Sequence, residues 1–135
     1  MDYLLDTNII SAILKLDDKV LNKTKLVSLA EEKIFISTIS YYETKRGLIA
    51  SQATTKMERF ERLLNKYEMI GIDTKKVLEE ASEIYANLKH RGELLPDADI
   101  FIAAIARAHG LILVTNDSHF DRIEGLRIEN WLKEN

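Results

Sequence analysis

Short apolar runs alternate along this chain with longer stretches whose apolar residues recur at helical spacing. Tyr3-Leu4-Leu5, Ile34-Phe35-Ile36 and Leu111 to Val114 are too short for helices. They contain no polar residue, the mark of strands buried in a sheet. Met69 to Ile72 and Leu126 to Ile128 are briefer strand candidates. Between these runs the pattern predicts helices. The first begins at Ile9, with Thr7 and Asn8 as possible caps, and reaches Leu14. A second spans Val20 to Ala30 on Val20, Leu21, Leu26, Val27 and Leu29. A third is capped by Thr38 or Ser40 and reaches Ala50. A fourth, Thr55 to Tyr67, places Met57, Phe60, Leu63 and Leu64 on one side. Thr74 to His90 is closed by Arg91-Gly92, the basic-then-glycine ending of a helix. Pro96, the single proline, introduces Asp97 to His109, which is apolar almost all round through Ile100, Phe101, Ile102, Ala103, Ala104 and Ile105. Such a helix belongs at the centre of a fold. Gly110 ends it, and Thr115 to Ser118 turn. Strands alternating with helices predict an α/β fold, a small parallel sheet flanked by helices through right-handed crossovers.

The length of 135 residues, 46% of them hydrophobic, suits one domain, 1–135, with a core that needs no staples. There is no cysteine, which removes disulfides, thiolate zinc sites and thiol nucleophiles. Asp2 and Asp6 flank only a few apolar residues, unlike a signal peptide, and no stretch suits a bilayer, so a soluble cytoplasmic protein is expected. A net charge of −3 argues against a surface built for nonspecific nucleic-acid binding, though not against a nucleic-acid enzyme. Lys45, Arg46, Lys89, Arg91 and Arg107 are candidates for local basic surface; for any one of them a solvated helix face is the simpler explanation.

Four acids share an address. Asp6, Glu43, Asp99 and Asp117 each fall near the carboxyl end of a predicted strand or at the start of a helix, where open parallel sheets bind ligands. Each also has a local explanation. Asp6 fits a polar turn, Glu43 a capping box with Ser40, Asp99 the positive end of a helix, and Asp117 a turn. Capping does not require them to gather, however. Two carboxylates about 4 Å apart repel by roughly 4 kcal/mol at an effective dielectric near 20, a large fraction of a small domain's stability. A divalent cation reverses that sign, and oxygen-only donors favour Mg²⁺ or Mn²⁺. His90, His109 and His119 show no paired ligand spacing, and the first two suit helix ends. No serine sits in a nucleophile elbow and no glycine loop cradles phosphate, which leaves metal-activated water as the chemistry.

Four ordered motifs resemble the PIN domain, and within it the VapC-like ribonuclease toxins of toxin-antitoxin modules. They are Leu4-Leu5-Asp6-Thr7-Asn8-Ile9-Ile10-Ser11, then Ile36-Ser37-Thr38-Ile39-Ser40-Tyr41-Tyr42-Glu43 with Gly47 one turn on, then Asp99-Ile100-Phe101-Ile102-Ala103-Ala104, then Leu113-Val114-Thr115-Asn116-Asp117 followed by Phe120. Gly125 to Trp131 also looks like this family. The resemblance implies a PIN-like three-layer fold and a Mg²⁺-dependent (or Mn²⁺-dependent) endoribonuclease acting on tRNA or another structured RNA. It implies a homodimer and a VapB-like antitoxin laid across the helices between Val20 and Tyr67. By the same resemblance Asp6 and Asp99 are direct metal ligands, Glu43 orients water or holds a second ion, and Asp117 completes the cluster. Asp97 is then a helix cap, and Thr7 and Thr115 hydrogen-bond the acids and fix their rotamers. Gly47 leaves space beside Glu43, or allows close helix packing. The rival readings are a PIN-type nuclease outside toxin-antitoxin systems or acting on DNA, a phosphohydrolase with Asp6 as phosphoryl acceptor, and an inactive acidic interaction module.

Overall fold

The computed structural model describes residues 1–133, so the last two positions of the expected domain lie outside the described residues. In chain order the elements are β1 (Tyr3–Leu5), α1 (Thr7–Leu14), α2 (Asp18–Leu29), β2 (Ile34–Ser37), α3 (Thr38–Ala50), α4 (Thr54–Lys66), β3 (Glu68–Ile70), α5 (Lys75–His90), α6 (Asp97–His109), β4 (Ile112–Val114) and β5 (Ile128–Glu129), with a 3₁₀ turn at Ser118–Arg122. The five strands form one parallel sheet in the order β3-β2-β1-β4-β5. From β1 the chain steps outward to β2 and β3, then crosses back to β4 on the other side of β1. Right-handed crossovers that run in opposite directions put their helices on opposite faces.

The two faces follow from the two-residue period of a strand. Tyr3, Leu5, Ile34, Ile36, Ile112 and Val114 point to one side and pack with Ile9, Ile13, Val20, Val27, Leu48 and Phe60 from α1 to α4. Leu4 and Leu113 point to the other and pack with Ile84 and Leu88 of α5 and Ile102 and Ile105 of α6. As its sequence predicts, α6 is central: seven of its residues are buried. Gly110 ends it at φ 65°, a left-handed conformation that disfavours any Cβ. Among the described residues no helix is long and apolar enough to cross a membrane.

Several caps differ from expectation. Asp6, with φ −73° and ψ 161°, is itself the N-cap of α1, and Thr7 is its first helical residue. Ser37, and neither Thr38 nor Ser40, caps α3 by accepting from the Ser40 N–H at 2.9 Å. Glu43 therefore lies beyond the first turn and has no capping duty. Asp97 is the first residue of α6 and makes no cap hydrogen bond.

After β5 the chain tucks Trp131 under the sheet beside Tyr3, with ring centroids 5.3 Å apart, and its indole N–H donates to Glu129 at 2.9 Å. Trp131 is 2% exposed. Trp131→Ala is expected to lower the unfolding free energy by about 3 kcal/mol in urea denaturation; a loss below about 1 kcal/mol would show that this last turn is peripheral to the core.

Candidate active site

The strand order reverses between β1 and β4, and in parallel sheets ligands sit in the crevice beyond the carboxyl ends at such a point. Asp6 follows β1 and Thr115 follows β4, joined by a bond from the Asp6 N–H to the Val114 carbonyl at 2.9 Å. The Asp6 carboxylate is 5% exposed. Its Oδ1 accepts from the Thr7 N–H at 2.8 Å, and its Oδ2 accepts from the Thr115 hydroxyl at 2.8 Å and the Asn8 amide at 3.2 Å. A carboxylate oxygen has two lone pairs, so Oδ2 is saturated and Oδ1 keeps one acceptor position.

The same three polar residues fix the neighbours. Thr7 Oγ lies 2.7 Å from Glu43 Oε1 and 3.1 Å from Ser40 Oγ. One hydroxyl has one proton; it goes to the carboxylate, and Ser40 donates to Thr7 in turn. Thr115, 2% exposed, accepts from the Asp117 N–H at 3.0 Å while donating to Asp6. Asn8 also accepts from the Asn116 N–H at 3.1 Å, which stitches the start of α1 to the loop after β4. Asp117 accepts from the His119 N–H at 2.9 Å, and its Oδ1 lies 3.2 Å from the His119 ring.

The acids act on one another through their charges. Burial pushes the Asp6 carboxyl up to about 6, partly offset by its bonds from Thr115 and Thr7, with Asp99 and Glu43 raising it further. Asp99 is raised by burial and by Asp117 and Glu43, with His119 pulling the other way. Among the described residues, no three of the acids or histidines stand close enough to form a ready-made ligand cage. The arrangement is an open one: a buried, immobilised carboxylate within the electrostatic reach of Asp99 and Glu43, with Asp117 acting on Asp99.

The residues missed from sequence are those that look like ordinary turn formers. Asn8 reads as a cap and serves as a bridge between two strand ends. His119 is not a paired ligand, yet its position two residues after Asp117 places both its N–H and its ring on that acid. Gly47 has nothing within 4 Å of where a Cβ would lie, so it leaves open space and close helix packing does not explain it. The five basic candidates are otherwise engaged. Lys45 pairs with Glu61, Arg46 lies over Tyr42, Lys89 over Tyr85, Arg91 pairs with Glu93, and Arg107 with Glu80. A cavity of about 520 Å³ lies elsewhere, at the amino ends of β2 and β3 among Thr24, Ile34, Lys66 and Tyr67; it is at the wrong edge for the acids.

A parallel sheet in this order, with a buried aspartate at its switch point and further acids that act on its charge, defines a PIN-type α/β domain. The PIN-domain family matches the chain over residues 3–126, and the chain belongs to it. Within that family its likeness is to VapC proteins. It is 31% identical to ribonuclease VapC2 of Haemophilus influenzae over 98% of this chain and 99% of the relative. It is 29% identical to the tRNA(fMet)-specific endonuclease VapC of Shigella flexneri, over 97% of this chain and 98% of that one. The VapBC2 structure from Rickettsia felis, bound to a promoter DNA fragment, superposes with a TM-score of 0.90 at 30% identity, covering 97% of this chain and 99% of that chain.

Proposed function

We propose that this protein is a divalent-metal-dependent endoribonuclease and the toxin of a toxin-antitoxin pair. The observation that carries the reading is the Asp6 carboxylate, buried and fixed by three donors with one acceptor position left, and with Asp99 and Glu43 near enough to raise it. The donor set fits a hard cation: only oxygens face the crevice from these acids, and Mg²⁺ keeps several waters, so an open site with two direct carboxylates suffices. Asp6 and Asp99 would hold the ion, with Glu43 and Asp117 beside it. A bound Mg²⁺ or Mn²⁺ supplies Lewis acidity, acidifying water and offsetting charge on a phosphodiester.

The protein's own residues do the rest. Thr7 holds Glu43 in one rotamer, so its second oxygen is directed and available to accept a proton from water. Thr115 and Asn8 hold Asp6 and thereby fix where the electrophile sits, since a misplacement of 1 Å costs about 10²-fold in such sites. The His119 backbone N–H holds the Asp117 carboxylate in place.

A partner is supported by the surface. Leu26, Leu29 and Ile49 of α2 and α3 are 60%, 80% and 61% exposed, apolar area that a bound protein would cover. The chain's structural relatives include VapBC complexes from Rickettsia felis, Salmonella typhimurium and Haemophilus influenzae. We assign these exposed residues to the surface that a VapB-like antitoxin covers, and expect the free toxin to be a homodimer.

The test is cleavage of a total tRNA pool by the purified protein. EDTA is expected to abolish cleavage, and Mg²⁺ or Mn²⁺ to restore it, while duplex DNA of equal length is left intact. Cleavage that persists in EDTA would sink the metal assignment; cleavage of DNA alone would sink the substrate.

A further inference from the structure

A groove leads away from the acids between α1, α3 and α4. It holds a cavity of about 160 Å³, lined by Thr7 and Glu43 of the site and by Ser11, Lys15, Thr44 and Lys56. Ser11 and Lys15 follow Thr7 at four-residue steps along α1 and its C-cap, so they lie on one helical face, about 12 Å from end to end. Gly47 flanks the same cavity and adds no side chain to it.

Three features point to an anion here. Lys15 and Lys56 make no ion pair among the described residues, whereas the basic residues considered from sequence are all engaged. Both lysines line the one cavity, where two cations at neighbouring positions attract an anion more strongly than either alone. Thr44, only 7% exposed, carries the one buried side-chain polar atom without a hydrogen-bond partner among the described residues. A buried hydroxyl left without a partner is destabilising, and a ligand oxygen in the cavity that Thr44 lines would relieve it. The cavity has room for about five waters at 30 Å³ each, below the 300 Å³ or so at which drug-sized pockets begin. It suits a phosphate group and not a nucleoside.

We infer that this groove is a subsite for a backbone phosphate of the RNA strand next to the scissile one, held by Lys15 and Lys56 with Thr44 at its wall. The inference rests on the ribonuclease reading and deepens it. It also resolves a charge problem. The acids repel a polyanion, and the chain is negative overall, so a strand needs cations close beside the acids to approach them.

The test is binding, measured by fluorescence anisotropy of a labelled single-stranded oligoribonucleotide on protein carrying Asp6→Asn, so that no cleavage intrudes. Adding Lys15→Gln and Lys56→Gln is expected to weaken binding about tenfold and to flatten the dependence of log affinity on log salt by about 1. Lys33→Gln with Lys66→Gln, the same charge change at the sheet's opposite edge, is the control and is expected to alter binding less than twofold. Thr44→Val is expected to raise the Tm of the free protein while weakening RNA binding about threefold, opposite signs that a packing role would not give. Equal losses in the test and control pairs would reduce the effect to general charge and overturn the subsite. Unchanged RNA affinity with weakened antitoxin capture would give the groove to the protein partner and overturn it also. Parallel cleavage assays on the wild-type protein separate the two levels: failure to cleave RNA sinks the ribonuclease reading, whereas cleavage with lysine-independent binding sinks the subsite alone.

Discussion

Asp6→Asn is expected to reduce RNA cleavage by about 10³-fold or more while making the protein more stable in EDTA at neutral pH. The two effects have one cause. Asp6 sits where the proposed cation needs a fixed negative charge, so removing the charge removes transition-state stabilisation that no neighbour can replace. Without a cation that charge is a burden. Burial raises the carboxyl from an ordinary 3.8 to about 6, with Asp99 and Glu43 adding to the rise. A folded-state pKa above the unfolded one means that the native state takes up the proton more readily. The stability tied to this group is therefore fully present below about pH 4 and lost as pH rises through 6. The full swing is about 3 kcal/mol. Asn carries no such dependence. It can accept from the Thr7 N–H and donate to Thr115, but its amide then faces the Asn8 amide, donor against donor, so the net gain should be about 1–2 kcal/mol. Urea denaturation in EDTA at pH 4.5 and 7.5 checks this: the gap between variant and wild type should be wide at 7.5 and narrow at 4.5. Identical pH profiles, or retained Mg²⁺-dependent cleavage by the variant, would sink the assignment.

Why Asp6 is legible from sequence and its setting is not comes down to range. The run Tyr3-Leu4-Leu5 predicts a buried strand, and the observed β1 covers those residues, because a three-residue apolar run fits no exposed element. The central placement of α6 follows likewise from a helix with no polar face. Thus the sheet, its parallel sense and the strand ends that carry Asp6 and Asp117 are all readable from local pattern. Caps are not, because Ser37, Thr38 and Ser40 all have cap chemistry, and the packing of β2 against β1 decides which takes the φ and ψ of an N-cap. That one-turn difference matters: with Ser37 as cap, Glu43 loses its local explanation and is left to Thr7. The contacts that hold the site are longer in range still. Thr115 meets Asp6 across 109 positions and Asn8 meets Asn116 across 108, separations over which no periodicity carries information. The basic surface failed for the same reason. Lys45 and Arg107 look available in sequence because their partners Glu61 and Glu80 lie 16 and 27 positions away, whereas Lys15 and Lys56, unremarkable in pattern, line a cavity that Glu43 also lines.

Asp99→Asn should match Asp6→Asn in cleavage, a loss of about 10³-fold or more, yet differ from it in the pH dependence of stability, and Asp97→Asn should do neither. Both aspartates lie in the first turn of α6, a helix whose N-cap, Pro96, offers no side-chain acceptor. An acid there interacts favourably with the helix dipole by about 0.3–1 kcal/mol, and were that the whole role of Asp99, its amide would fold slightly less well and cleave normally. The electrostatics favour the other role. Asp99 is raised by burial, by Asp117 and by Glu43, and it is one of the charges that raise Asp6. Removing it should bring the Asp6 carboxyl down from about 6 but leave it elevated, since burial is the larger cause. The stability profile in EDTA should therefore keep its fall with rising pH while shifting to lower pH and shrinking, where Asp6→Asn erases it. Asp97 is exposed, makes no cap bond and is not among the causes of either shift. Its amide variant should cleave within about twofold of wild type, because a solvated charge one residue from the helix start adds little at physiological ionic strength. Carboxyl NMR titration of the three variants, read beside their cleavage rates, decides between the two aspartates. An Asp97→Asn protein that fails to cleave, beside an active Asp99→Asn protein, would move the metal ligand two residues toward Pro96 and with it the register of the whole site.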